Sequence, residues 1–144
     1  MGLKVKTKGS FSMLTKKLKN IDKDFNSGSF LEDTAKLLNS SIQIRVQKRG
    51  EGTDGRKMTD YSDKYAAFKK NTGRKTSYRD LTFSGKMFQS LTTSKGRNKA
   101  KMFFGNAESN NKAAGNDKRT PFFGLGERER KILRDKVNKL IRDL

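Results

Sequence analysis

Histidine and cysteine are both absent from the 144 residues. With them go the commonest general base, the commonest zinc ligand and all thiolate chemistry. Asp54, Asp60 and Asp63 cluster near a glycine-rich turn. Their spacing is not that of a calcium-binding loop, and Lys57 and Lys64 oppose a cation, so Asp54-Gly55 reads as a turn pair. Residues 50–57 carry the glycines of a phosphate loop without its Gly-Lys-Ser/Thr ending or a preceding strand. Serines and threonines are plentiful, with no histidine to activate one. No catalytic residue, metal or cofactor is expected, and the chain is not read as an enzyme. What remains is recognition. Lys69, Lys70, Arg74, Lys75 and Arg79 line a turn-rich stretch that could contact DNA phosphates or an acidic partner. Tyr78 in the same stretch could stack on a base. The same residues also describe a plain solvated loop, the one expected to be most mobile.

The charge balance gives these cations weight. There are 34 basic and 15 acidic residues, a net charge of +19. Such a field attracts polyanions: nucleic acid, anionic membrane or acidic protein surfaces. Only 31% of residues are hydrophobic, so the core is small and a partner is expected to cover remaining apolar surface. The first residues hold no apolar run, and no stretch approaches the length needed to span a bilayer. Lys6 stands where a myristoylation start needs serine or threonine. No membrane association is expected.

The elements that position these residues follow from periodicity. Lys4 to Lys8 alternate as in a short edge strand. Phe11, Leu14, Leu18, Ile21 and Phe25 make one helical stripe, and Ser29 with Glu32 forms a capping-box pattern opening a second helix. That helix carries Leu31, Ala35, Leu38, Ile42 and Val46 on one face and ends near Arg49, at Gly50. The two stripes are expected to pack together, burying Leu14, Leu18, Ile21, Leu31, Leu38 and Ile42. Asp60 or Ser62 caps a short helix bearing Tyr61, Tyr65 and Phe68, and Lys86 to Leu91 suits one or two turns burying Met87, Phe88 and Leu91. Residues 92–95 and 99–104 flank Gly96-Arg97-Asn98 as a β-hairpin. Residues 106–118 hold no large apolar side chain and are expected to form an exposed loop. A final helix begins at Glu127, with Ile132, Leu133, Val137, Leu140, Ile141 and Leu144 as its apolar stripe. The fold class is α+β: two N-terminal helices, a small antiparallel sheet with a hairpin and a C-terminal helix, in a single domain over 1–144.

Before that last helix lies Arg119-Thr120-Pro121-Phe122-Phe123-Gly124-Leu125-Gly126, with the chain's one proline. Proline pushes Thr120 towards an extended backbone, and the aromatics are too apolar for a free loop. Residues 119–126 thus read as an arm that docks on its own domain or on a neighbour, with Pro121, Phe122, Phe123, Gly124 and Leu125 as candidate interface residues. A basic residue, a proline, two bulky apolar residues and Gly-Leu before a final helix resemble the closing motif of tailed-phage virion-morphogenesis, or tail-completion, proteins. Upstream segments resemble the family's other marks in order. Ile42 to Val46 ends a helix. Residues 50–58 resemble a "G-x-D-G-x-x-W" turn, with Met58 in place of tryptophan. Residues 61–65 sit at a helix start, and 81–91 resemble "L-x-x-T-G-x-L-x-x-S-I", with Ser84 in place of threonine. The usual "Y-A-x-x-H-x-x-G" segment is missing, with Gly105-Asn106-Ala107 as its remnant.

The resemblance implies a non-enzymatic structural protein of the virion. It would act at the head–tail junction as a tail-completion or neck connector, assembled in the host cytoplasm. It implies a homo-oligomeric ring, a hexamer in many such proteins, that meets neighbouring phage neck and tail proteins, with possible non-specific contact to DNA in the channel. A heterologous interface closes such a ring only if its rotation divides the circle. The alternative from charge alone is a small basic nucleic-acid-binding protein.

Overall fold

The computed structural model describes residues 16–20, 22–23, 29–96 and 99–143. Residues 16–20 and 22–23 are helical. The remaining elements are α1 (Phe30–Gln43), a π-helical turn (Ile44–Lys48), α2 (Asp63–Asn71), α3 (Lys86–Gln89), β1 (Leu91–Gly96), β2 (Lys99–Phe104), α4 (Ala107–Arg119) and α5 (Glu127–Arg142). The chain is α+β, helices with one two-stranded antiparallel sheet.

Helix α1 forms as its periodicity predicts, with Ala35, Leu38 and Ile42 buried and Leu31 half-buried. The stripe runs on through the π-helical turn to Val46. Gly50, at φ +64°, ends it, and its amide donates to the Val46 carbonyl at 2.9 Å. A side chain there would be strained, and a Cβ would lie 2.5 Å from the Tyr78 ring. The capping box expected at Ser29 does not form. Ser29 itself has helical dihedrals, φ −76° and ψ −1°, and its side chain makes no cap bond; a working N-cap residue sits in the extended region.

The hairpin is as predicted. Leu91 pairs with Phe104, Thr93 with Met102 and Gly96 with Lys99. Ser62 caps α2, its hydroxyl accepting from the Tyr65 amide at 3.4 Å. Met87, Phe88 and Leu91 are buried as expected. The core unites Ile42, Val46, Met58, Met87, Phe88, Leu91, Phe104, Ala113 and Phe122. Phe88 meets Phe104 and Phe122 edge-on at 6.5 and 6.1 Å, the favoured aromatic geometry. Helix α1 packs on both strands and on α5, while α4 packs on α3 and β2.

Two expectations are corrected. Residues 106–118 are not a loop, because α4 occupies Ala107–Arg119. Asn106 caps it, accepting from the Ser109 amide at 2.8 Å, and Lys112 pairs with Glu108 one turn earlier at 2.5 Å. Its buried face is built from small side chains, Ser109 and Ala113, so no large apolar residue is required. The packing expected at Leu18 also fails, since that side chain is 56% exposed. Leu14, Ile21 and the strand expected at Lys4 to Lys8 lie outside the described residues, as does Leu144 of the C-terminal stripe. Within α5, Ile132, Leu133, Val137 and Leu140 are half-buried, and Ile141 is exposed.

Candidate functional site

The arm is held from inside the domain. Phe122 is completely buried, and its ring lies in the core beside Phe88. Phe122 as an intermolecular contact is therefore corrected: its side chain already fills the chain's own interior. Pro121 is exposed, and Phe123, Gly124 and Leu125 are half-buried, Phe123 lying 5.1 Å from the Phe104 ring. The Asp117 carboxylate accepts from the amides of Phe122 and Phe123 at 2.9 and 3.0 Å. The Thr53 amide donates to the Pro121 carbonyl at 2.9 Å. A Cβ on Gly52 would come within 2.7 Å of that same carbonyl, so the glycine-rich turn and the arm meet only because Gly52 has no side chain. In the same turn the Asp54 carboxylate accepts from the Arg56 amide at 2.9 Å, the turn role its sequence context predicts.

The fastening centres on Arg45, a residue whose charge gives no hint that it is buried. Its Nη2 donates to the Phe122 and Gly124 carbonyls at 3.1 and 2.8 Å, and its Nε lies 3.3 Å from the Glu129 carboxylate. Glu129 is also fully buried and accepts from the Ser41 hydroxyl at 2.9 Å and the Gly126 amide at 2.8 Å. The reach to Gly126 is one half of a capping box; glycine has no side chain to supply the other. Burial pushes the Glu129 pKa up. The Ser41 hydrogen bond, the Arg45 charge and the Gly126 amide outweigh it, leaving the carboxyl below its ordinary 4.5. A depressed folded-state pKa contributes stability that is fully present above the unfolded value and lost as pH falls through the folded one. Acidification below about pH 4.5 should therefore destabilise the protein. In urea titrations across this range, Glu129→Gln should show a shallower loss than the parent; parallel curves would mean that Glu129 does not contribute.

The predicted basic contact set divides. Lys69 is completely buried and is not available to DNA or to a partner. Its ammonium lies 2.9 Å from Asp80 and 4.4 Å from the Tyr61 ring centre. The Tyr61 hydroxyl donates to Asp80 at 2.9 Å and accepts from the Asp80 and Leu81 amides at 3.2 and 3.0 Å. Burial, followed by the Asp80 charge, pushes the Tyr61 phenol well above its ordinary 10. This hub holds Leu81 at φ +53°, a rare left-handed conformation for a side-chain-bearing residue. Arg74 is half-buried, donating to the Phe83 carbonyl at 2.7 Å with its guanidinium 3.7 Å from that ring centre. Arg79 is half-buried and donates to the Asp60 carbonyl at 3.1 Å. Lys70 and Lys75 are exposed, with Lys75 on the Tyr78 hydroxyl at 2.6 Å. That hydroxyl in turn lies against the Gln47 and Lys48 carbonyls at 2.9 and 2.8 Å. The stretch expected to be mobile is thus tied down on both sides.

Comparison with family profiles, curated proteins and solved structures finds no match. Among the described residues no group of three acids is placed to hold a metal, so Asp54, Asp60 and Asp63 do not converge on one. No helix among them is long and apolar enough to cross a membrane.

One concavity was not recognised in the sequence. A groove of about 570 Å³ opens between α2 and α4. It is lined by Tyr61, Tyr65 and Phe68, by Leu81 and Phe83 to Met87 on the way into α3, and by Glu108, Lys112, Asn116 and Arg119 of α4. It was not legible because α4 was not expected to exist. The usable signal was the spacing of 108, 112, 116 and 119, one polar helical face.

Proposed function

We propose that the protein is a non-enzymatic structural component of a tailed-phage virion, forming a ring at the head–tail junction as a tail-completion protein. One observation carries the reading. The segments that resemble the family motifs, far apart in the chain, meet in space. Ile42 and Val46, Met58 of the glycine-rich turn, Met87, Phe88 and Leu91, and Phe122 of the arm all belong to one core. Arg45 ties the arm to the first of these segments and, through the Glu51 carbonyl at 3.4 Å, to the second. That is the packing expected if these segments are the marks of one fold, as the resemblance implies.

The arm then serves assembly by holding a rigid edge in place, its exposed Pro121 and half-buried Leu125 remaining for a neighbour. The charge of +19 would face channel DNA or acidic neck proteins. Light scattering and electron microscopy of the purified protein, alone and with tail tubes, test this. The expected result is a closed ring, six-fold by the family pattern, alone or at the tube end. A monomer that ignores the tubes and binds unrelated DNA duplexes with steep salt dependence would replace this reading with the nucleic-acid-binding one.

A further inference from the structure

The groove between α2 and α4 combines two features rarely left open on a soluble surface. The first is aromatic. Tyr65, Phe68 and Phe83 remain 39%, 51% and 38% exposed and lie together. Phe68 stacks on Phe83 with centroids 5.5 Å apart, and Tyr65 lies 6.2 Å from Phe68. A contiguous exposed aromatic patch of this kind marks an interaction site. The second is charge. Arg79, Lys86, Lys112 and Arg119 line the groove against a single carboxylate, Glu108. The Lys112 hydrogen bond and charge hold that carboxyl below its ordinary range, so it stays ionised and already paired. Arg79 adds a buried Nε with no hydrogen-bond partner.

We propose that this groove docks a short acidic segment of another protein. The segment lays an aromatic or aliphatic side chain against Tyr65 and Phe68, and its carboxylates against Arg79, Lys86 and Arg119. Two observations choose this occupant over the others. Single-stranded nucleic acid would need free ring faces for base stacking. Those of Phe83 and Tyr61 are already engaged, by Phe68 and the Arg74 guanidinium at 3.7 Å, and by Lys69 and Arg79 at 4.4 and 5.3 Å. A second copy of the chain is a poor source of an acidic segment, with 34 basic residues to 15 acidic ones. An acidic segment matches both the cations and the aromatic patch, with the apolar contact supplying affinity and the charges supplying register and on-rate. The inference stands apart from the virion reading, because the partner is defined by its chemistry.

Selection of a random short-peptide library on the purified full-length protein tests it. Enriched peptides should combine Asp and Glu with at least one aromatic or aliphatic residue. A fluorescein-labelled winner should lose roughly tenfold in affinity on Phe68→Ser, the loss of one buried contact, and similarly on Arg119→Glu. Both side chains are exposed, so these variants should keep the parent circular dichroism, with at most a small fall in melting temperature at Phe68 from its lost ring contacts. Ile141→Ser and Lys139→Glu, exposed positions outside the groove, should bind as the parent does. Three outcomes overturn the proposal: enrichment without an acidic bias; acidic winners indifferent to both groove substitutions; or displacement of the labelled peptide by an oligothymidine strand that itself loses affinity on Phe68→Ser.

Discussion

Phe122→Ala lowers the unfolding free energy by about 3–5 kcal/mol, the usual cost of truncating a fully buried aromatic. Phe122 has no exposed surface and sits against Phe88 and Phe123 in the core. Its main-chain bonds, the amide donating to the Asp117 carboxylate and the carbonyl accepting from Arg45, are independent of the ring. The arm therefore keeps its path and the cavity cannot close by letting it drift away, which places the loss towards the upper part of that range. For a domain of this length the melting temperature should fall by roughly 10–20 °C. Phe123→Ala, at a half-buried position, should cost visibly less. Equal losses at the two positions, or less than about 1 kcal/mol at Phe122, would mean that the arm is not packed as described. The comparison also bears on assembly. Any defect in oligomerisation from Phe122→Ala reflects a damaged monomer, so the surface role of the arm is better probed at Pro121 or Leu125.

Asp80→Ala should be comparably severe, about 3–5 kcal/mol, because it leaves the fully buried Lys69 ammonium without its counter-charge. The same change removes the acceptor of the Tyr61 hydroxyl and of the Thr82 amide, the latter at 3.0 Å. A second variant separates charge from cavity. Lys69→Met combined with Asp80→Asn replaces the ion pair with neutral groups of similar size, and should recover a substantial part of the stability. Chemical denaturation of the parent, the single variant and the double variant gives the comparison. If the double variant is no better than Asp80→Ala, the hub matters for its shape and hydrogen bonds, not for its charge pairing.

The Gly96-Arg97-Asn98 turn made the hairpin readable, a capping residue at Asp60 or Ser62 the start of α2, and the spacing of large side chains the face of α1. Helix α4 hides. Its three asparagines and lack of bulky residues look like a loop, and its buried positions, Ser109 and Ala113, carry no hydrophobic signal. Buried charge hides for a different reason. Lys69, Arg45 and Glu129 are indistinguishable in sequence from solvated residues, and only tertiary structure brings Asp80 beside the first and joins the other two. A partial clue existed at Glu129, three residues after the Gly126 cap, the position from which a carboxylate reaches back to the helix start. Of the candidate contacts, the sequence located the arm and the basic stretch. It did not reveal that Phe122 and Lys69 are interior, nor that Arg79 alone of the basic stretch lines the groove shared with α4.

Arg45 also sets a timetable for the chain as it leaves the ribosome. Its partners at Phe122, Gly124 and Glu129 lie 77, 79 and 84 residues downstream. At roughly 5–20 residues per second of synthesis, about 4–17 s pass between Arg45 and Glu129. During that interval the first-made half has its apolar stripe but neither the aromatic plug nor the carboxylate that completes it. The nascent protein cannot bank its stability piecemeal from the N-terminus; closure comes late and involves the whole chain at once. A copy that stalls before residue 129 is left with an unfinished interior, the kind of exposed apolar surface that chaperones and proteases act on.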